Sequence, residues 1–183
     1  MYKIIIVIDM QKDFISGTLG TPQAAAIVSN IAKKIEASEN QLIIFTQDTH
    51  QEDYLQTPEG KKLPVIHCIE NTPGWEIDPT IKNAWKNNKN TIILEEVEEN
   101  TFKKPVFASL QLIEFLQKKE PEISEIEMVG VCTDICVISN ALMIKNILPN
   151  VKVSVNGGLC AGVTEESHDQ ALNVMKMCHV DII

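Results

Sequence analysis

The sequence predicts an α/β fold built on a mostly parallel sheet. Short runs rich in Ile and Val alternate along the chain with segments of helical periodicity. The first run, Lys3–Asp9 (KIIIVID), is almost continuously apolar, as expected of a strand covered on both faces. Cap signals stand where the helical patterns begin, and no boundary divides the 183 residues.

Taken in order, the elements justify that reading. After the first strand, Thr21-Pro22 pairs an N-cap with Pro at the first helical position. The helix that follows carries Ile27, Ile31 and Ile35 on one face. Gln41–Gln47 (QLIIFTQ) reads as the second strand. Residues 48–78 hold no long periodic segment, and their His and Trp residues mark them as functional rather than disordered. Asp78-Pro79 opens a short helix through Trp85. Thr91–Leu94 is expected as the third strand, followed by a solvated acidic run, Glu95 to Glu99. Ser109 to about Lys119 is helical, with Leu112, Ile113 and Leu116 apolar. Glu127–Val131 is the fourth strand, and Thr133 or Asp134 opens a helix to about Ile147. Val151–Val155 is the fifth strand, with a turn at Gly157-Gly158. Thr164 caps a last helix ending near Cys178, and Val180–Ile183 closes the chain as a strand.

Composition narrows the function classes. The chain is 44% hydrophobic and 22% charged, which is ordinary for a globular protein and excludes disordered, collagen-like and coiled-coil classes. With 16 Lys+Arg against 25 Asp+Glu, the net charge is −9. That sign does not attract phosphate backbones or anionic membranes, so neither nucleic acid nor membrane is expected as partner. The apolar run Ile4 to Ile8 is too short for a signal core or a membrane helix, and a cytoplasmic location is expected. The five cysteines are Cys68, Cys132, Cys136, Cys160 and Cys178. Their odd number reads as free thiols in a reducing compartment, with room for one reactive thiol.

In open parallel sheets ligands bind beyond the carboxyl ends of the strands. The chemistry-bearing residues therefore lie in Asp9–Phe14, Gln47–His50, Lys103–Phe107 and Gly130–Cys136. In the last of these a strand gives way to a helix. N–H groups in a first helical turn are unpaired and carry positive potential. They lower a thiol's pKa and can hold an oxyanion. Cys136 and Cys132 are the candidates there, and both also fit as buried core cysteines. Asp48 and His50 project to the same side of an extended segment, and with His67 they make a plausible divalent-metal set. All three also read as polar loop residues. Cys68 is a further candidate ligand, although an extended backbone would turn it away from His67. Asp9 reads as a general base or as a turn-capping aspartate. Lys103 and Lys104 read as surface lysines by default. His168 suits either a pairing with Cys136 or, like His179, a helix-surface place. The sequence lacks the GxGxxG and GxxxxGK patterns, so no nucleotide cofactor is expected.

The order of these signals is more specific than any one of them. Asp9-x-Gln11-x-x-Phe14, Thr46-Gln47-Asp48-x-His50, Pro64-x-x-His67-Cys68, Gly74, Lys104-Pro105-x-Phe107 and Gly130-Val131-x-Thr133-x-x-Cys136-Val137 occur in one chain. Together with Asn156 to His168 they resemble the isochorismatase-like cysteine hydrolases, and among them the nicotinamidases. The resemblance implies one hydrolase domain over residues 1–183, a three-layer α-β-α fold with a six-stranded parallel sheet. It implies a triad of Asp9, Lys104 and Cys136, with Lys104 chosen over Lys103 because an aromatic, Phe107, follows three residues later. It implies zinc, or another divalent metal, on Asp48, His50 and His67. It implies a cis peptide at Val131–Cys132 and an oxyanion hole from the N–H groups of Cys132 and Cys136. The expected reaction is hydrolysis of nicotinamide to nicotinate and ammonia through a thioester, recycling nicotinamide toward NAD.

Three departures bear on the substrate. Gln51, Glu52, Asp53 and Tyr54 follow His50 where the family usually offers a further histidine. Leu63-Pro64-Val65-Ile66 stands where many members place a tryptophan, which leaves Phe14, Trp75 and Val131 as the expected pocket walls. Asn156 replaces a late aspartate. The alternatives are hydrolysis of another small amide or of a ureido or N-carbamoyl compound, and a non-catalytic zinc-binding protein. The expected partner is a small-molecule amide, and a homo-oligomer stays open.

Overall fold

The structure is a computed structural model describing residues 1–183. Its core is a six-stranded, all-parallel sheet in the order β3-β2-β1-β4-β5-β6. The strands are β1 (Tyr2–Ile8), β2 (Leu42–Asp48), β3 (Thr101–Lys104), β4 (Ile123–Val131), β5 (Lys152–Ala161) and β6 (Asp181–Ile182). Seven helices connect them: α1 (Lys12–Ile15), α2 (Pro22–Glu36), α3 (Pro58–Lys62), α4 (Pro79–Asn87), α5 (Leu110–Lys119), α6 (Ile138–Ile147) and α7 (Glu165–Met177).

The continuous apolar run of β1 has the cause expected from sequence. Ile4, Ile6 and Ile8 pack on one face with α5, α6 and α7, whereas Ile5 and Val7 pack on the other with α2 and α4. Alternate side chains of a strand point to opposite faces, so a central strand needs apolar residues throughout. The cap signals also hold. Thr21, Ser109 and Thr164 each accept a backbone N–H in the first turn of the helix they open, and Asp78 does so for α4; Thr57 caps the unexpected helix α3 in the same way.

Three local expectations are corrected. Thr91–Leu94 is irregular, and the third strand is Thr101–Lys104. Asn100 explains the difference. Its fully buried carboxamide accepts the Leu94 N–H (2.9 Å) and donates to the carbonyls of Ile92 (2.7 Å) and Ile43 (2.9 Å). One side chain thus ties residues 92–94 to β2, and the neighbouring strand position is left to β3. Gly157-Gly158 lies inside β5 instead of forming a turn. The Gly157 N–H donates to Ile183 (2.9 Å), and the register against β4 jumps from Met128↔Val155 to Gly130↔Cys160. Finally, residues after Cys132 do not start an α-helix directly. Thr133–Val137 forms a π-type turn, closed by the Val137 N–H donating to the Cys132 carbonyl (3.0 Å), and α6 begins after it.

The connections reverse direction between β1 and β4, which is where a ligand crevice is expected in a sheet of this order. Gly130 lets the two strand ends close up. It has φ of +120°, and a Cβ there would collide with the backbone of Ile8.

Candidate active site

Four strand ends converge on one buried cluster. Asp9 follows β1 with φ of 47°, a left-handed conformation uncommon outside glycine. Its N–H donates to Thr46 Oγ1 (3.2 Å), and that hydroxyl donates to Asp9 Oδ1 (2.6 Å). Thr46 thereby fixes one carboxylate oxygen and leaves the other to Lys104. Lys104 ends β3 in register with Asp48 of β2. Its ammonium lies 2.7 Å from Asp9 Oδ2, 3.2 Å from Asp48 Oδ1 and 3.5 Å from Cys136 Sγ. Asp9, Lys104 and Cys136 are 0%, 1% and 7% exposed. The structure therefore brings the three residues into one water-poor contact group, and Lys104 is not the surface lysine of the default reading.

Charge in this group is set by competition. Burial pushes the Asp9 carboxyl above its ordinary value, and the Lys104 cation opposes that only in part. Burial acts against the Lys104 charge, but the Asp9 and Asp48 carboxylates beside it outweigh that and raise its pKa well above the ordinary lysine value. The Cys136 thiol is pushed well up, first by burial and then by Asp9. This reverses the expectation of a thiol acidified by a helix start. Burial beside a carboxylate favours the neutral thiol over the thiolate. Burial also raises Cys132 and Cys160 to about 12.

Cys136 sits in the π-type turn, and the peptide before Cys132 is cis. The Cys132 N–H donates to no group of the chain. Val131, the residue before the cis peptide, is buried and packs into the core on the α2 and α4 side of the sheet. His168 does not reach Cys136 in hydrogen-bond contact; its Nδ1 lies 2.7 Å from Thr133 Oγ1.

Beside the cluster lies a set of metal-type donors. One ligand atom each from Asp48, His50 and His67 falls within 4.8 Å of the others, and all three residues are buried. The donor chemistry fits a divalent cation. The His67 Nδ1–H donates to the Val65 carbonyl (2.8 Å), which leaves Nε2 with a lone pair. The His50 Nε2 is buried without a hydrogen-bond partner, 3.0 Å from Asp48 Oδ2. A bound cation would satisfy both nitrogens and the carboxylate together. Gln11 holds this arrangement from below: its Oε1 accepts the Asp48 N–H (2.7 Å), and its amide donates to the Asp48 carbonyl (2.9 Å). Cys68 stays outside the cluster. Its backbone is left-handed, not extended, and its N–H donates to Asp13 Oδ2 (2.8 Å).

Sequence reasoning missed Glu59. Its Oε1 stands 3.9 Å from His50 Nε2, carried there by α3. The signal was available as Thr57-Pro58-Glu59, a cap followed by an acidic residue in the first turn. A carboxylate thus stands at the edge of the His50 side of the cluster. Phe14 is half-buried with its ring 5.5 Å from that of His67, a position suited to walling a ligand. Trp75 faces elsewhere. Its indole N–H donates to Thr49 Oγ1 (2.9 Å) and Lys103 lies 4.9 Å over its ring. It borders a groove of about 490 Å³ whose lining includes Gln47, Lys82 and Lys103 but neither Asp9 nor Cys136.

The model of the isochorismatase domain matches residues 3–183. The chain is 26% identical over 197 residues to the nicotinamidase/pyrazinamidase of Mycobacterium tuberculosis, covering 99% of this chain and 98% of that protein. Among solved structures, the pyrazinamidase/nicotinamidase of Streptococcus mutans superposes with a TM-score of 0.80 at 26% identity, covering 99% of each chain. The pyrazinamidase of Pyrococcus horikoshii in complex with zinc superposes with a TM-score of 0.78 at 23% identity, covering 100% and 99%, a likeness of fold.

Proposed function

The chain belongs to the isochorismatase domain family, and from that membership we propose that it hydrolyses a small carboxamide, with nicotinamide giving nicotinate and ammonia. One observation carries the reading: the buried Lys104 ammonium bridges Asp9 Oδ2 at 2.7 Å and Cys136 Sγ at 3.5 Å. A base, a cation and a thiol in contact are the parts that nucleophilic acyl transfer needs. The curated relative and the Streptococcus mutans structure, both named for nicotinamide and pyrazinamide hydrolysis, support the substrate class.

The steps follow from the charges. Asp9 takes the proton of the neutral Cys136 thiol as sulfur attacks the amide carbon. The negative charge that develops on oxygen is met by the N–H groups of Cys132 and Cys136. Asp9 then passes its proton to the departing nitrogen, releasing ammonia and leaving a thioester. Water attacks the thioester, Asp9 accepts its proton, the acid departs and the thiol is restored. Lys104 stays charged throughout, orienting Asp9 and steadying each anionic state.

Asp48, His50 and His67 would hold a divalent cation, with zinc as the expected ion and Glu59 at the rim. Bound there, the ion would supply a docking point for a substrate ring nitrogen. Phe14 would face that ring. Residues 1–183 act together as one hydrolase domain in this reading, and nicotinate release returns the pyridine ring toward NAD. The aliphatic, largely exposed Leu63–Ile66 segment favours a second reading, a small amide without an aromatic ring.

The test is ammonia release from nicotinamide by metal-analysed protein, beside Cys136→Ala and a panel of small amides. Strong, cysteine-dependent release with about one metal per chain supports the proposal. Activity on another amide alone keeps the chemistry and replaces the substrate. Silence across the panel overturns it.

A further inference from the structure

We infer that His168 is a positioning residue for the nucleophile turn, acting through Thr133 on the N–H donors of that turn. The inference rests on the reading of Cys136 as nucleophile.

Thr133 is the first residue of the π-type turn that carries Cys136, and it is fully buried. Its hydroxyl has a single partner, His168 Nδ1 at 2.7 Å. A buried hydroxyl left without a partner is costly, so this contact holds the Thr133 hydroxyl whichever of the two atoms donates. His168 belongs to α7, an element remote in sequence and packed against the turn. Its outer side faces a cavity of about 380 Å³ lined also by Gln23, Cys160, Glu165 and Asp169.

A second contact pins the same helix to the same turn. The Ser167 hydroxyl donates to Asp134 Oδ2, and Asp134 also accepts the Val163 N–H (3.1 Å). Gly162 permits this approach, because a Cβ there would press on the His168 side chain and backbone. Two neighbouring residues of α7 thus hold two neighbouring residues of the turn. They do so between Cys132 and Cys136, the residues whose N–H groups meet the developing oxyanion. A donor aimed at that oxygen works only when its position is fixed beforehand, and small displacements are felt in the rate.

The test compares His168→Asn, whose carboxamide can occupy the place of Nδ1, with His168→Leu, which offers no hydrogen-bond partner. Thr133→Val and the Thr133→Val/His168→Leu double variant complete a cycle. Hydrogen exchange of segment 132–137, read by mass spectrometry, needs no substrate and is the first readout. His168→Leu should speed exchange there by about tenfold or more while distant strands keep their protection. In turnover of the active amide, kcat should fall about tenfold or more with KM within about twofold. His168→Asn should stay within about threefold of wild type, and the double variant should lose no more than the worse single variant. Unchanged exchange in His168→Leu would overturn the inference, as would equal damage in His168→Asn or a loss confined to KM. A wild-type chain that hydrolyses no amide would sink the catalytic reading alone, because the exchange comparison still decides whether His168 orders the turn.

Discussion

Lys104 Nζ and Asp9 Oδ2 form an ion pair of 2.7 Å in which neither side chain is more than 1% exposed to solvent. Such a pair is weak evidence for stability but strong evidence of mutual need, because either partner alone is a buried, uncompensated charge. Lys104 also stands 3.2 Å from Asp48 Oδ1, so one cation serves two carboxylates and ties the triad to the metal-type site.

Lys104→Met should destabilise the chain by about 3–5 kcal/mol and abolish turnover. It leaves Asp9 and Asp48 buried without their cation. The check is a urea melt with the slope compared as well as the midpoint. The Asp9→Asn/Lys104→Met double variant should lose less than the sum of the single losses; strict additivity would mean that the two groups do not interact.

Cys136→Ala should reduce kcat by at least about 10³-fold while leaving metal content unchanged, since Sγ is the proposed attacking atom and the metal-type donors lie elsewhere. Elemental analysis beside an ammonia assay reads both. Near wild-type turnover would remove Cys136 from the mechanism.

The acid limb of the pH profile should lie above the range of an ordinary carboxylate, about pH 4. Burial raises the Asp9 pKa, and only ionised Asp9 can take the thiol proton. As pH falls, the active form is therefore lost sooner than an exposed aspartate would lose it. A plot of kcat/KM against pH checks the sign, and a limb at or below pH ~4 contradicts it.

Removing the metal by chelation should stop turnover of a ring-nitrogen substrate while leaving the Asp9–Lys104 pair in place. His67→Ala should prevent reloading. Glu59→Ala should weaken metal affinity by about 10–100-fold, the scale of an outer ligand partner. Competition with a metal-sensitive dye measures both, and an unchanged affinity would remove Glu59 from the site.

Asn100→Leu should cost about 2–4 kcal/mol. It deletes three hydrogen bonds, two of them buried, and takes their partner from the Leu94 N–H and the Ile43 and Ile92 carbonyls. Thermal and urea unfolding should agree on the loss.

Much of this molecule was legible in the chain itself. The run Ile4 to Ile8 announced a strand covered on both faces, and Thr21, Asp78, Ser109 and Thr164 stand at the helix starts. These are local matters, decided by periodicity and by side chains that reach their own backbone. The spaced motifs around Asp9, Asp48, His67, Lys104 and Cys136 likewise identified the residues that converge. Thr91–Leu94 misled because a β-branched run fits a strand locally, whereas the carboxamide of Asn100 supplies the tie to β2.

The sequence by itself determined the layering, most of the long-helix starts and the cast of polar residues at the strand ends. Only the tertiary structure decided what those residues became. Lys104 is a surface residue by composition, yet packing buries it between two carboxylates, and they keep it charged. The turn at Cys136 suggested an acidified thiol, yet burial beside Asp9 pushes its pKa up. His168 lies far in sequence from Thr133, the residue it approaches, and Glu59 reaches His50 only because α3 turns it back. Local patterns specify which groups a chain offers. Burial and the charges brought alongside set the proton each group carries, and those depend on strands and helices meeting across the whole fold.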